Sequence, residues 1–178
     1  MTAPIPPAYE DYDRSDIISA CQLFGGDLDR LSVLPGGVTG RQLLWAISGN
    51  ESSFGKNCRP RYEPAYDVGG IYYLANRANL ITYGPDAAFS YGPWQILFAN
   101  VKGFSPKALT TSLTNAAVAT AGHLAKQLLR FKPANLKQIA SIWNGGNPHA
   151  ILNLPRVQQY AADLENNYAV PMAVPSST

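Results

Sequence analysis

The sequence predicts a mainly α-helical protein with a single domain, and three observations support this prediction. The chain has 178 residues, a length that one domain usually accommodates. Hydrophobic residues make up 46% of it and charged residues only 15%, which favours a packed core and excludes a disordered chain. Apolar residues recur at helical spacing in several segments, which are separated by one long irregular stretch with room for a small β element.

Two helices are predicted in the first third of the chain. Ser15 is a candidate N-cap for the first helix, which the glycine pair at 25–26 should close. Thr39 is a candidate N-cap for the second helix, which should end near Gly55. The apolar faces comprise Ile17, Ile18, Cys21 and Phe24 in the first helix and Leu43, Leu44, Ile47 and Phe54 in the second.

Three further helices are predicted in the C-terminal half. One runs from about Asn115 to Arg130. A short helix runs from Leu136 to Trp143 and stops at a glycine pair, and Pro155 fits the first position of the last helix. The residues expected to face the core are Ala117, Ala121, Leu124, Leu128 and Phe131 in the first of these helices and Val157, Tyr160, Ala161, Leu164 and Tyr168 in the last.

The stretch from Lys56 to Tyr91 has no sustained hydrophobic period and holds six of the ten tyrosines. Residues 68–75 within it fit a short strand pair or a helix. We assign residues 13–169 to the folded domain. Residues 1–12, with three prolines, and residues 170–178, rich in Pro, Ser and Thr, are interpreted as terminal tails.

Composition narrows the classes of function. A net charge of +2, with scattered basic residues, excludes an electrostatic nucleic-acid binder. No apolar run reaches the roughly 20 residues that span a bilayer, and residues 1–7 lack the basic start and apolar core of a signal peptide. We expect a monomer, made in the cytoplasm and delivered to any external substrate by another route. Cys21 and Cys58 form one disulfide or remain free core thiols.

Glu51 is the residue that points most directly to chemistry. On the helix from Thr39 it continues the apolar stripe of Leu44 and Ile47 and lies near the helix C-terminus. Burial and the negative end of the helix dipole both favour its protonated form. A carboxyl group that stays protonated near neutral pH is what general acid catalysis of glycosidic cleavage requires. The alternative is a glutamate that bends outward at a frayed helix end.

Short motifs around this glutamate and after it carry a family resemblance. Residues 51–55 (ESSFG) resemble the E-S-x-F motif of the soluble lytic transglycosylases and goose-type lysozymes. Residues 90–96 (SYGPWQI) resemble their S-x-G-x-x-Q motif, and residues 143–146 (WNGG) resemble their Y-N-A-G motif. The helix around His123 and the helix holding Tyr160 are similar to two further family helices. The resemblance covers residues 39–168 in the family's order.

This resemblance implies a lysozyme-like catalytic domain that needs no cofactor and acts on the glycan strands of peptidoglycan. It implies that Glu51 is the catalytic acid and base for the β-1,4 bond between N-acetylmuramic acid and N-acetylglucosamine. In a lytic transglycosylase the substrate's own C6 hydroxyl attacks and leaves a 1,6-anhydromuramic acid end, whereas the goose-type branch hydrolyses the bond with water. With the missing signal peptide, the resemblance suggests a phage endolysin or a virion-associated protein.

The chain departs from the family pattern in two places. Glu51 and Gln95 are 44 residues apart, farther than in compact family members, so the tyrosine-rich stretch is interpreted as an insertion. Trp143 replaces the usual tyrosine, and its indole N–H can donate a hydrogen bond but cannot accept one. Residues 61–64 (RYEP) are similar to a motif of some phage muramidases, which makes Glu63 a candidate accessory carboxylate.

The second and third motifs supply the candidate substrate-binding residues, which are Ser90, Tyr91, Gln95, Trp143 and Asn144. Hydroxyl and amide groups can bind sugar hydroxyls and acetamido groups, and aromatic rings can stack on pyranose faces. All of these residues except Ser90 also have a structural alternative: the rings cover the core, Gln95 satisfies buried backbone, and Asn144 caps the following turn.

A hydrolase must place a water molecule with a second group, most often a carboxylate. Glu63, Asp67 and Asp86 are the candidates, and turn capping is the alternative role of each. A lytic transglycosylase needs no such group. His123 shares a polar helix face with Lys126 and is expected to be solvated. A non-catalytic glycan-binding or virion structural protein of the same fold is the remaining alternative.

Overall fold

The computed structural model describes residues 4–173, and within that range the fold is mainly helical with one small sheet. The helices are α1 (Arg14–Asp29), α2 (Gly40–Ser52), α3 (Tyr73–Tyr83), α4 (Pro106–Thr110), α5 (Leu113–Phe131), α6 (Leu136–Gly145) and α7 (Pro155–Tyr168). The strands are β1 (Arg61–Tyr62), β2 (Phe89–Tyr91) and β3 (Ile96–Leu97). The prediction of a mainly α-helical chain is therefore confirmed.

The sheet is antiparallel in the order β1-β2-β3, and it joins the irregular stretch to the second motif. Arg61 lies opposite Ser90, and Ser90 lies opposite Leu97 on its other side. The short turn between β2 and β3 is closed by a hydrogen bond from the Gln95 N–H to the Gly92 carbonyl, at 3.0 Å. This register places Arg61 and Ser90 side by side in the sheet.

The glycine pair at 25–26 does not end α1, which continues to Asp29 and corrects the predicted boundary. Gly25 instead lies where α1 contacts α2. A Cβ atom on Gly25 would lie 2.4 Å from the Cα of Arg41, and one on Gly40 would lie 2.3 Å from the Cβ of Leu28. The two helices approach so closely because neither glycine has a side chain.

We expect Gly25→Ala to destabilise the protein by roughly 1–3 kcal/mol, because the added methyl group meets the backbone of α2 and the helices must separate. Gly122→Ala in α5 is the matched control. An added Cβ there meets no atom within 4 Å, so the better helix former should stabilise by about 0.5–1 kcal/mol. Urea denaturation of the two variants measures both effects, and equal midpoints would contradict the packing argument.

The core has two parts, and α2 is the centre of the larger one. Five consecutive α2 residues, Leu43, Leu44, Trp45, Ala46 and Ile47, are fully buried against α1 and α7. The smaller part lies under the sheet and is built around Phe89, Tyr91, Ile96, Phe98 and Leu109. Trp143 packs against both parts, so the end of α6 lies at their junction.

The region from Lys56 to Tyr91 contains a helix that periodicity does not predict. Residues 68–75 hold a turn followed by the start of α3. Only Asn76 of α3 is buried, and its amide donates to the carbonyls of Tyr66 and Ala87 at 3.0 and 2.9 Å. Because this helix is anchored by polar contacts and leaves Leu74 and Ile81 exposed, it has no apolar stripe facing the core.

Both cysteines are free buried thiols, so the disulfide alternative does not hold. The described parts of the predicted tails contact the core at their inner ends: the Asp11 carboxylate accepts from the Cys58 N–H, and the Val170 carbonyl accepts from the Trp45 indole. The outer residues of both tails, 1–3 and 174–178, lie outside the described residues. No helix within residues 4–173 combines the length and apolarity needed to cross a membrane.

Candidate active site

A cleft of about 450 Å³ lies between the sheet and the helices α5 to α7, and Glu51 lies in it. One wall comes from the irregular stretch and the sheet and carries Arg61, Glu63, Tyr66, Tyr72, Ser90 and Gln95. The other wall comes from the helices and carries His123, Gln127, Arg130, Trp143, Asn144 and Arg156. The cleft therefore brings the three motifs together.

The ESSFG motif holds Glu51 in the last turn of α2. The Ser52 hydroxyl donates to the Ser48 carbonyl at 3.0 Å and accepts from the Gly55 N–H at 2.9 Å, which folds the chain back after the helix. Ser53 and Phe54 both have positive φ, of 53° and 61°, a conformation that is rare outside glycine. The Phe54 ring stacks on Trp45 at a centroid distance of 4.2 Å. These contacts fix the helix end and with it the carboxyl group.

The two oxygens of Glu51 have different surroundings. Its Oε1 accepts two hydrogen bonds, from the Trp143 indole N–H at 3.0 Å and from the Tyr160 hydroxyl at 2.9 Å. Its Oε2 has one longer contact, with the Arg61 guanidinium at 3.3 Å. Because Oε1 is saturated by donors, the proton of the acid form belongs on Oε2.

Burial raises the pKa of Glu51 above its ordinary value, because the side chain is only 5% exposed and loses hydration when it ionises. The charge of Arg61 and the hydrogen bonds from Trp143 and Tyr160 act in the opposite direction but do not outweigh burial. Burial and the neighbouring Glu51 raise the pKa of Tyr160 well above its ordinary value, so its hydroxyl keeps the proton that it donates.

Arg61 joins the two acidic groups of the cleft. Its Nη1 contacts Glu51 Oε2, and its Nε donates to Glu63 Oε1 at 2.9 Å. The same Glu63 oxygen accepts from the Ser90 hydroxyl at 2.8 Å. Because one guanidinium group contacts both carboxyl groups, they lie no farther apart than the roughly 9.5 Å limit of inverting glycosidases. The buried Ser90 and Arg61 both donate to Glu63 Oε1, and together they fix the position of this carboxyl group.

Two buried amide oxygens in the cleft have no hydrogen-bond partner among the described residues: Gln95 Oε1 and Asn144 Oδ1. Gln95 is 6% exposed, and its Nε2 donates to the carbonyls of Gly92 and Arg59 at 3.0 and 3.3 Å. A buried acceptor without a donor is costly, and the described residues supply a donor to neither oxygen. Gln95 thus binds buried backbone through its Nε2, as the structural alternative expects, while its Oε1 has no donor among the described residues.

Three of the predicted site residues, Tyr91, Asp67 and Asp86, lie outside the cleft. Tyr91 is fully buried in the smaller core, and its hydroxyl donates to the Asp86 carbonyl, so the expectation that its ring lines the groove is wrong. The Asp86 side chain is not part of the cleft wall. Asp67 accepts from the Tyr62 hydroxyl and from the Val68 N–H, as a turn-capping residue does. Trp94 is buried in the larger core.

His123 lies in the cleft, which corrects the expectation that it is solvated. Its ring meets the edge of Trp143 at a centroid distance of 5.9 Å. Burial, with the nearby charge of Lys126, lowers the pKa of His123 to about 4. Its ring is therefore neutral above that pH and adds hydrogen-bonding capacity, but no charge, to the wall beside Trp143.

Sequence analysis missed Tyr160 and Arg61 as partners of Glu51. Tyr160 lies on the apolar stripe of α7 and was expected in the core, 109 residues from the glutamate. The signal available was its hydroxyl, because a tyrosine on a buried stripe needs a hydrogen-bond partner. Arg61 lies in the RYEP segment, and the only signal for its role was its charge two residues before Glu63, with which it pairs in the structure.

We expect Tyr160→Phe to raise the pKa of Glu51 further, because one donor to its carboxylate is lost. Titration of the Glu51 carboxyl group by carbon-detected NMR measures the shift. Tyr168→Phe is the matched control, because that hydroxyl lies on the same helix but bonds Thr39 and Gly37. Equal shifts in both variants would contradict a role for Tyr160 at Glu51.

The described residues contain no group of three or more His, Cys, Asp or Glu side chains arranged to hold a metal ion. The cleft wall carries two carboxyl groups, three guanidinium groups and one imidazole. Comparison of the chain with protein-family profiles, with curated proteins and with solved structures finds no match.

Proposed function

We propose that the protein is a lysozyme-like peptidoglycan lytic transglycosylase that cleaves the β-1,4 bond between N-acetylmuramic acid and N-acetylglucosamine. One observation carries the proposal: a single buried carboxyl group, Glu51, faces an open cleft with donors on one of its oxygens. Such a group can keep a proton near neutral pH and release it to a bound glycosidic oxygen.

In the first step, Oε2 of Glu51 donates its proton to the oxygen between the sugars as the C1–O bond breaks. The carboxylate formed is stabilised where it stands by the Trp143 indole, the Tyr160 hydroxyl and Arg61. The indole thus performs, with its N–H alone, an orienting task for which family members use tyrosine. These donors need no rearrangement when the charge appears, which lowers the barrier.

In the second step, the C6 hydroxyl of the same muramic acid attacks C1 and gives its proton to the Glu51 carboxylate. The acid is regenerated and a 1,6-anhydro end is formed, with no water consumed. The nucleophile belongs to the substrate, so the reaction gains the high effective concentration of an intramolecular step. Glu51 alone is sufficient for both proton transfers.

The free acceptors of the cleft suit a glycan that carries acetamido groups. Gln95 and Asn144 line the cleft, and a rotation that exposes either amide oxygen would let it accept from an acetamido N–H or a hydroxyl group. The exposed parts of Tyr66, Tyr72 and Trp143 add aromatic surface for pyranose faces. These features support substrate binding in the same cleft as Glu51.

Hydrolysis is the second candidate function, because Glu63 also lies in the cleft. Its Oε1 is held by Arg61 and Ser90, which would orient its other oxygen toward a water molecule. In this case Glu63 would activate water on the face of the sugar opposite Glu51, as in an inverting glycosidase.

Mass spectrometry of the fragments released from purified cell walls tests the proposal. We expect fragments one water lighter than reducing muropeptides, released by the wild type and absent with Glu51→Gln. Reducing ends that disappear with Glu63→Gln would establish hydrolysis instead. No release of fragments by any form would contradict both activities and favour a non-catalytic glycan-binding protein.

A further inference from the structure

Two arginines of the cleft have no acidic partner among residues 4–173. Arg130 lies at the end of α5 and Arg156 at the start of α7, and both are exposed on the cleft wall. The third cleft arginine, Arg61, is paired with Glu51 and Glu63. The guanidinium group of Arg130 lies over the Phe131 ring at 4.8 Å, which holds its stem in place.

The two arginines lie on different helices of the cleft wall. On α5, His123, Gln127 and Arg130 follow each other along the cleft wall, and His123 is the one beside Trp143. Seven residues of helix place Arg130 about 10 Å farther along the axis. The first turn of α7, which carries Arg156, packs against Gly145 at the end of α6. The spacing of Arg130 from His123 indicates a binding role for that arginine, and Arg156 lies one turn before Tyr160 on α7.

The charge of the cleft is unbalanced once its acidic groups are considered. Glu51 and Glu63 are its only acidic residues among those described, and both contact Arg61. Glu63 and Arg61 cancel, and a protonated Glu51 adds no charge, so Arg130 and Arg156 leave the cleft with two uncompensated positive charges. A neutral glycan has no group that would match them.

We propose that Arg130 and Arg156 form a subsite for a carboxylate carried by the substrate, so that the cleft selects anionic glycan strands over neutral ones. This inference rests on the proposed function and deepens it. Guanidinium groups bind carboxylates through paired N–H donors, a geometry that lysine cannot reproduce. Peptidoglycan offers such carboxylates in two places: on its stem peptides and, where the peptide is absent, on the lactyl group of muramic acid.

Binding measurements separate the subsite from catalysis. Soluble strand fragments are titrated into the Glu51→Gln variant by calorimetry in four forms: peptide-bearing, peptide-bearing with the carboxylates converted to amides, peptide-free with lactyl carboxylates, and neutral chitin oligomers. We expect the amidated and chitin fragments to bind about tenfold more weakly than the peptide-bearing form, as loss of a charge-assisted hydrogen bond predicts. Retained binding of the peptide-free form would assign the lactyl carboxylate, and its loss would assign the stem peptide.

Arginine variants then identify the residues. With Arg130→Gln and Arg156→Gln, each made in the Glu51→Gln background, the peptide-bearing fragment should bind only as well as the amidated one. Arg77→Gln on α3 removes an exposed arginine outside the cleft wall and should keep the tenfold difference. Equal affinity for native and amidated fragments in the parent, or the same loss with Arg77→Gln, would overturn the proposal. A carboxylate-dependent complex without turnover in the wild type would contradict the proposed function but keep the subsite.

Discussion

Glu51→Gln should abolish turnover, with a loss of about 10²–10⁴-fold or more, while glycan binding and folding stay close to wild type. The amide has nearly the shape of the carboxyl group. Its oxygen can occupy the position of Oε1 and accept from Trp143 and Tyr160, as the native oxygen does. Its nitrogen replaces Oε2, and an amide cannot deliver an acidic proton to the glycosidic oxygen.

Fragment release from purified cell walls, measured beside a calorimetric binding curve, checks this expectation. Glu63→Gln is the informative companion variant, because Glu63 shares Arg61 with Glu51 but has no proton to donate in the transglycosylase mechanism. It should keep most of its turnover if the substrate supplies the nucleophile. A Glu51→Gln variant that clears walls at the wild-type rate would show that another group provides the acid.

The part of the site that lies on α2 can be predicted from the sequence. Thr39 caps this helix through its side chain, which accepts from the Gln42 N–H, and the apolar stripe leads directly to Glu51. The motif ends the helix because Ser52 bonds Gly55 and the chain enters a left-handed turn. Local sequence determines all of these features, since every partner lies within a few residues.

The partners of Glu51 could not be predicted in the same way, because they are distant in sequence. Trp143 and Tyr160 lie 92 and 109 residues away, and only the packing of α6 and α7 on α2 brings them to Oε1. Tyr160 has the periodicity of a core residue, so its position on the helix says nothing about its hydroxyl. Tyr91 illustrates the opposite error. Its motif suggested a ring in the substrate groove, but strand β2 holds the side chain in the core.

Helix α3 could not be assigned for a related reason, since the sequence leaves residues 68–75 open between a strand pair and a helix. Periodicity detects helices that bury an apolar stripe, but α3 is held by the buried amide of Asn76. A single polar anchor leaves no repeating pattern. The same region supplies Arg61 and Glu63, so the wall of the cleft that is hardest to predict is the one that carries the ion pair beside Glu51.

Activity should fall on the alkaline side as Glu51 loses its proton, by about tenfold for each pH unit above its native pKa. Burial raises that pKa, so the fall should begin at a higher pH than an exposed glutamate would give. Turnover measured across pH 4–9 at constant ionic strength checks this. A fall in activity that begins at the pKa of an exposed glutamate would contradict the argument from burial.

The same group makes stability depend on pH, with a definite sign. The pKa of glutamate in an unfolded chain is about 4.3, and burial raises the pKa of Glu51 above that in the native state. Between these two pKa values the native state binds the Glu51 proton, whereas the unfolded chain has lost it. The stability contributed by this group should therefore fall as pH rises through that window. His123 has the opposite effect, because its pKa is lowered to about 4 and the unfolded chain binds the extra proton.

Comparison of melting temperatures for the wild type and Glu51→Gln isolates the glutamate, since His123 contributes equally to both. We expect the variant to gain stability relative to the wild type as pH rises above the unfolded pKa of glutamate. Asp163→Asn removes an exposed carboxylate on α7 and controls for the change in net charge. If the difference between Glu51→Gln and the wild type does not change with pH, Glu51 is not held in its protonated form by the fold.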